Sequence, residues 1–124
     1  MKKAIIITNN AIANENFKDK YKVDYIEGSL MEVLKTARDY IHKGYILLTH
    51  PLSGSIKPNE TPYKTIAVSE KQGDVVDLDS LMLIENSIET AAKLLVNKQI
   101  KPWNERVLND FMVIDFDLIK NALC

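Results

Sequence analysis

The residues best equipped for chemistry fall in two places. One is the run Thr49-His50-Pro51-Leu52-Ser53-Gly54-Ser55-Ile56-Lys57-Pro58-Asn59-Glu60-Thr61-Pro62-Tyr63, and the other is Thr8-Asn9-Asn10. Amides, hydroxyls, an imidazole, a carboxylate and a glycine backbone are the parts that hold carboxylate, phosphate or amide groups. Asn9, Asn10, Thr49, His50, Ser53, Gly54, Ser55, Asn59 and Glu60 supply them and form the candidate ligand-binding set. His50 is also a candidate general acid–base, with Glu60 or Asn9 orienting the substrate. A purely structural reading stands beside this one. Three prolines preset φ and stiffen a long connection, Ser, Thr and Asn cap turns locally, and His50 bonds the loop backbone.

Familiar catalytic signatures are missing. There is no G-x-G-x-x-G and no G-x-x-x-x-G-K-[ST], so neither nucleotide fingerprint is met and no cofactor is implied. There is no C-x-x-C, no H-E-x-x-H and no calcium loop. His42 and His50 end different elements, so no metal site is expected. Ser53 sits in Leu-Ser-Gly rather than in a G-x-S-x-G elbow. Asp115 and Asp117 are i, i+2 on a helix, which reads as a solvated surface. Trp103 beside Pro102 reads as packing at a helix start.

The elements that must position these residues follow from periodicity. Ala4–Ile7 is continuously apolar and β-branched, the pattern of a central strand buried on both faces. Residues 11–21 fit a short helix or an irregular crossover. Lys22–Ile26 has strand propensity. Ser29 and Glu32 form a capping box, and Leu30, Val33, Leu34, Ala37 and Ile41 share a helical face. Gly44 suits the left-handed position that ends a helix. The spacing predicts a helix over 29–43, then a strand over 45–48, in a right-handed parallel βαβ unit. Lys64–Ser69 is a further strand, and helices are predicted over 79–98 and 102–122. In the last of these, Val107, Phe111, Ile114 and Leu118 line up, as do Leu108, Met112, Ile119 and Leu123. The expected fold is a three-layer, Rossmann-like α/β domain with a mostly parallel sheet of about four strands. Strands 4–8 and 45–48 then run the same way, and Asn9, Asn10, Thr49 and His50 share the sheet edge where such folds bind ligands.

At 124 residues, one domain spanning 1–124 is expected. Sixteen Lys and Arg against 17 Asp and Glu leave no positive excess to neutralise phosphates, so nucleic acid is not an expected partner. Cys124 is the lone cysteine, which fits a reducing compartment. The apolar run after Lys2-Lys3 is too short for a signal peptide or a membrane span. Together these predict a cytoplasmic protein.

The segments HPLSGSIKPNETPYK at 50–64, KKAIIITNN, YIEGSLMEVL and ARDYIHKGYILLTHPL resemble the GrdX family. Members are small proteins encoded beside the glycine, sarcosine and betaine reductase genes of amino-acid-fermenting anaerobes. The resemblance implies a context and no reaction, and no catalytic residues carry over from it. It implies a non-catalytic accessory or regulatory protein that binds a reductase component or a small metabolite. The alternative is a small enzyme acting on an amino- or carboxylate-bearing metabolite, with His50 as acid–base.

Overall fold

The computed structural model describes residues 3–52, 61–96 and 103–123. Its elements run β1 (Ala4–Thr8), α1 (Ala11–Phe17), β2 (Lys22–Tyr25), α2 (Leu30–His42), β3 (Thr65–Ser69), α3 (Leu78–Val96) and α4 (Glu105–Leu123). Among the described residues the sheet has three strands, in the order β2-β1-β3. β1 is central, as its unbroken apolar run requires, and all five of its residues are buried. It pairs parallel with β2, Ile6 opposite Val23, and antiparallel with β3, Ile6 opposite Ala67.

The expected mostly parallel, four-stranded, Rossmann-like sheet is therefore incorrect. The sheet is small and mixed, because β3 returns antiparallel against β1 and 45–48 adds no parallel strand. The 45–48 segment forms no strand. It touches the sheet through one antiparallel bridge, Leu47 to Val68. Two backbone bonds make that bridge, Leu48 N–H to the Ala67 carbonyl at 2.9 Å and Ser69 N–H to the Ile46 carbonyl at 2.8 Å, and side chains take over beyond it. Ser69 Oγ accepts from the Ile46 N–H at 2.8 Å, Ser80 Oγ from the Leu47 N–H at 3.0 Å, and Thr49 Oγ1 takes the Ala67 N–H at 3.1 Å. Side chains that satisfy buried backbone groups this way compete with strand pairing.

Alternation along the strands divides the core in two. Ile5, Ile7, Ile66 and Val68 pack with Leu30, Val33, Leu34, Ala37 and Ile41 of α2 and with Ile84 and Ala91 of α3. Ala4, Ile6 and Ala67 on the opposite face pack with Ala13 and Phe17 of α1 and Ile119 and Leu123 of α4. α2 begins on the predicted capping box: Ser29 Oγ accepts from Glu32 N–H at 3.2 Å while Glu32 reaches back to Ser29 N–H at 3.4 Å. Past its C-terminal end Gly44 has φ of 105°, the left-handed conformation that favours glycine. α4 starts later than predicted, because Asn104 Oδ1 caps the Val107 N–H at 2.9 Å. Trp103 packs edge-on against Phe111, with centroids 5.3 Å apart. Pro102, and the predicted end of the 79–98 helix at 97–98, lie outside the described residues. Among the described residues no helix is long and apolar enough to cross a membrane.

Candidate functional site

β1 ends in Thr8-Asn9-Asn10, and these polar residues are buried. Apolar β1 carries them to the end of the sheet, where α1 begins and the β2–α2 turn and the chain entering β3 converge. Asn9 ties that junction together. Its Nδ2 donates to the Gly28 carbonyl at 3.0 Å and the Pro62 carbonyl at 2.8 Å, and its Oδ1 accepts from the Lys64 N–H at 2.9 Å. Asn10 caps α1, its Oδ1 accepting from the Ile12 N–H at 3.0 Å. Its Nδ2 reaches α4 and donates to the Met112 carbonyl at 2.8 Å and to Asp115 Oδ2 at 2.9 Å. The donors and acceptors around both amides leave each a single orientation.

Asp115 is the acceptor at the centre of this cluster. It was expected on a solvated surface, and it is 8% exposed. Thr65 Oγ1 donates to its Oδ2 at 2.6 Å, and Thr8 and Thr65 hydroxyls are 2.7 Å apart. Thr65 has one proton and gives it to Asp115, so Thr8 donates to Thr65. Thr8 Oγ1 in turn accepts from the Asn10 N–H at 3.0 Å. The result is a closed circuit of hydroxyl, hydroxyl, carboxylate and amide linking β1, β3, α1 and α4. A buried carboxylate is tolerated because charge-assisted bonds of this kind replace its water.

Lys64, next to Thr65, carries the perturbed cation of the site. Burial pushes its pKa below the ordinary lysine value, while the Asp115 charge acts to raise it. At its neighbour Tyr63, burial raises the phenol pKa, and Tyr25 adds to the effect. Ionisable groups perturbed by burial gather at functional sites more often than elsewhere.

The predicted site residues divide between two sides of β3. Asn9 and Asn10 join Thr65, Lys64 and Asp115. Thr49 is bonded to Ala67 on the other side, and two strand spacings, about 10 Å, separate it from β1. The Leu47–Val68 bridge makes 46–48 antiparallel to β3 and therefore co-directional with β1, so Thr49 and Asn9 lie toward the same end of the sheet. His50 is exposed, and its Nδ1 accepts from the Leu52 N–H at 3.1 Å. Thr61 Oγ1 accepts from the Tyr63 N–H at 3.2 Å, a local turn bond. Ser53, Gly54, Ser55, Asn59 and Glu60 lie outside the described residues.

Sequence reasoning missed Thr65, Lys64 and Asp115. The signal for Asp115 was present: it stands on the inward stripe Leu108, Met112, Ile119, Leu123, three residues after Met112 and four before Ile119. A carboxylate on a buried stripe requires buried partners. Among the described residues no three His, Cys, Asp or Glu side chains are gathered as a metal ion would need.

A family model described as GrdX-like protein matches residues 5–124. No curated protein and no solved structure matches the chain.

Proposed function

Because the chain belongs to the GrdX-like protein family, we propose that it is a non-catalytic accessory or regulatory protein of the glycine, sarcosine and betaine reductase system. It acts by binding a reductase component or a small metabolite. What supports binding over catalysis is the hydrogen bonding at the end of β1. Asn9 and Asn10 spend their side-chain amides on backbone and carboxylate partners, and Thr8, Thr65 and Asp115 bond one another. Such groups hold a surface in place. His50 likewise has its Nδ1 engaged by the loop backbone, so the acid–base role rests on Nε2 alone. The ligand-facing part is then the 49–63 segment, anchored at its far end by Asn9 and flanked by the Lys64 cation. The lone cysteine fits a cytoplasmic setting, where thiols stay reduced.

Thermal unfolding with glycine, sarcosine, betaine, acetyl phosphate or phosphate tests the metabolite arm. A ligand at a hundredfold its dissociation constant adds about 2.7 kcal/mol to stability. The shift should vanish in Ser53→Ala with Asn59→Ala while the unliganded melting temperature holds. Anoxic co-purification with purified reductase components tests the protein arm. No shift at millimolar ligand, together with no co-elution of any component, would sink the accessory role and leave 49–63 as a stiff connector.

A further inference from the structure

Among the described residues, the large apolar side chains with the highest fractional exposure lie together, away from the cluster around Asp115. Val75 is 79% exposed, Leu78 69%, Met82 64% and Ile46 47%. Ile46, Val75 and Leu78, with Gly44 and Gly73, line an open cleft of about 390 Å³ between the 44–48 segment and the start of α3. Met82 follows Leu78 at i+4 and extends the same ridge along α3. Single exposed apolar residues need no explanation, but a contiguous group beside a cleft marks an interaction surface.

Charge and backbone together select the occupant. Asp74, Asp77 and Asp79 complete the lining, and no Lys or Arg is among the lining residues. Asp77 caps α3 through Ser80, accepting from its N–H at 3.1 Å and its hydroxyl at 2.6 Å, while Asp74 and Asp79 are exposed. Two copies meeting through this face would set the same three aspartates against each other, so a second copy is disfavoured. Strand addition is also disfavoured. Ile46 and Leu48 N–H groups bond to Ser69 and Ala67 of β3, which leaves the Leu47 N–H as the outward donor between them, and Ser80 already holds it. Recognition must therefore run through side chains, and the Leu78–Met82 ridge suits the groove of a helix.

We propose that this cleft docks an amphipathic helix of another protein, its apolar face against Ile46, Val75, Leu78 and Met82 and its flanking Lys or Arg side chains against Asp74 and Asp79. The inference goes beyond the accessory role and stands whether or not the partner is a reductase component.

The test is an amide NMR titration of the full chain with a synthetic helix of about 18 residues, long enough to be helical, with Leu on one face and Lys on its flanks. A matched peptide carrying Glu in place of Lys is the control. The Lys peptide should shift the amides of Ile46, Val75 and Leu78 saturably, and the Glu peptide should not. Asp74→Asn with Asp79→Asn should weaken the Lys peptide about tenfold, as should molar salt. Leu78→Ser with Met82→Ser, both exposed and so tolerated by the fold, should abolish the shifts. Absent binding by the Lys peptide, equal binding by the Glu peptide, shifts centred elsewhere, or peptide-free self-association mapped to the cleft would each overturn the proposal. Failure of metabolites or reductase components to bind leaves it standing, so the two readings fail separately.

Discussion

At the scale of single residues, Asp115 and Tyr40 show how one polar contact is held by its surroundings. Asp115 Oδ2 accepts hydrogen bonds from Asn10 and Thr65 in a site that little water reaches. Asp115→Ala takes the acceptor from the Thr65 hydroxyl and from one of the two Asn10 amide N–H groups, and urea denaturation should show a loss of about 2–3 kcal/mol. Asp115→Asn keeps an oxygen for them and should cost less. Without the carboxylate's charge, the Lys64 pKa should fall further below the ordinary value, which NMR titration of the lysine side chain reads directly. An unmoved Lys64 titration would mean that the two groups do not interact. Tyr40 donates to Asp24 Oδ2 at 2.9 Å, and burial first, then that bond, pushes its pKa up to about 12. The unfolded phenol ionises near 10. Between these values the unfolded chain sheds a proton that the folded one keeps, so stability is full below pH 10 and falls as pH rises toward 12. Tyr40→Phe should be less stable by about 1 kcal/mol at neutral pH. The difference should narrow in urea titrations above pH 10, and a constant difference would refute the linkage.

At the scale of elements, α2 is the part whose ends and face are all written locally. Its cap is a two-way exchange between Ser29 and Glu32, and Ser29→Ala should cost about 1 kcal/mol in denaturant titrations. Its far end needs Gly44 twice over. The positive φ there strains any side chain, and a Cβ would run into the Gly73 carbonyl, whose N–H donates to the Gly44 carbonyl at 2.8 Å. Gly44→Ala should therefore cost more than the cap, about 2 kcal/mol or more. The reverse ranking of the two variants would contradict the geometry. The same residues made α2 legible in advance, because caps and a 3.6-residue stripe concern neighbours a few positions apart. The 45–48 segment shows the converse. Tyr45-Ile46-Leu47-Leu48 has strand composition, yet Ser69 and Thr49 side chains take the bonds that would have extended its bridge to β3, and Ser80 takes the outward Leu47 N–H. Those partners stand 18 to 33 positions away from the groups they bind, beyond any local pattern.

For the whole molecule, the Asn10–Asp115–Thr65–Thr8 circuit is the joint between sheet and last helix, since Asn10 and Asp115 are 105 positions apart. If the chain is one domain, this joint couples its two ends, and far-UV and tyrosine signals should report one coincident unfolding transition. Separate transitions would show that α4 melts independently of the sheet. Much of this organisation was readable beforehand: the α/β class, the buried central β1, the cap and face of α2, and the α4 stripe that buries Ile119 and Leu123; the other α4 stripe leaves Ile114 and Leu118 exposed. Each depends on residue type repeated at a period of two or three to four, which is set by backbone geometry alone. Strand direction was not readable. An unbroken apolar run such as Ala4–Ile7 says that both faces are covered, but it says nothing about which way the neighbours run. β1 has one parallel and one antiparallel partner. Nor could spacing place Asn9 and Asp115, because the folded chain alone brings the Gly28 and Pro62 carbonyls to one amide and Thr65 and Asn10 to one carboxylate. A hydrogen bond depends on distance in space, and the return of the chain antiparallel to β1 is what closed that distance.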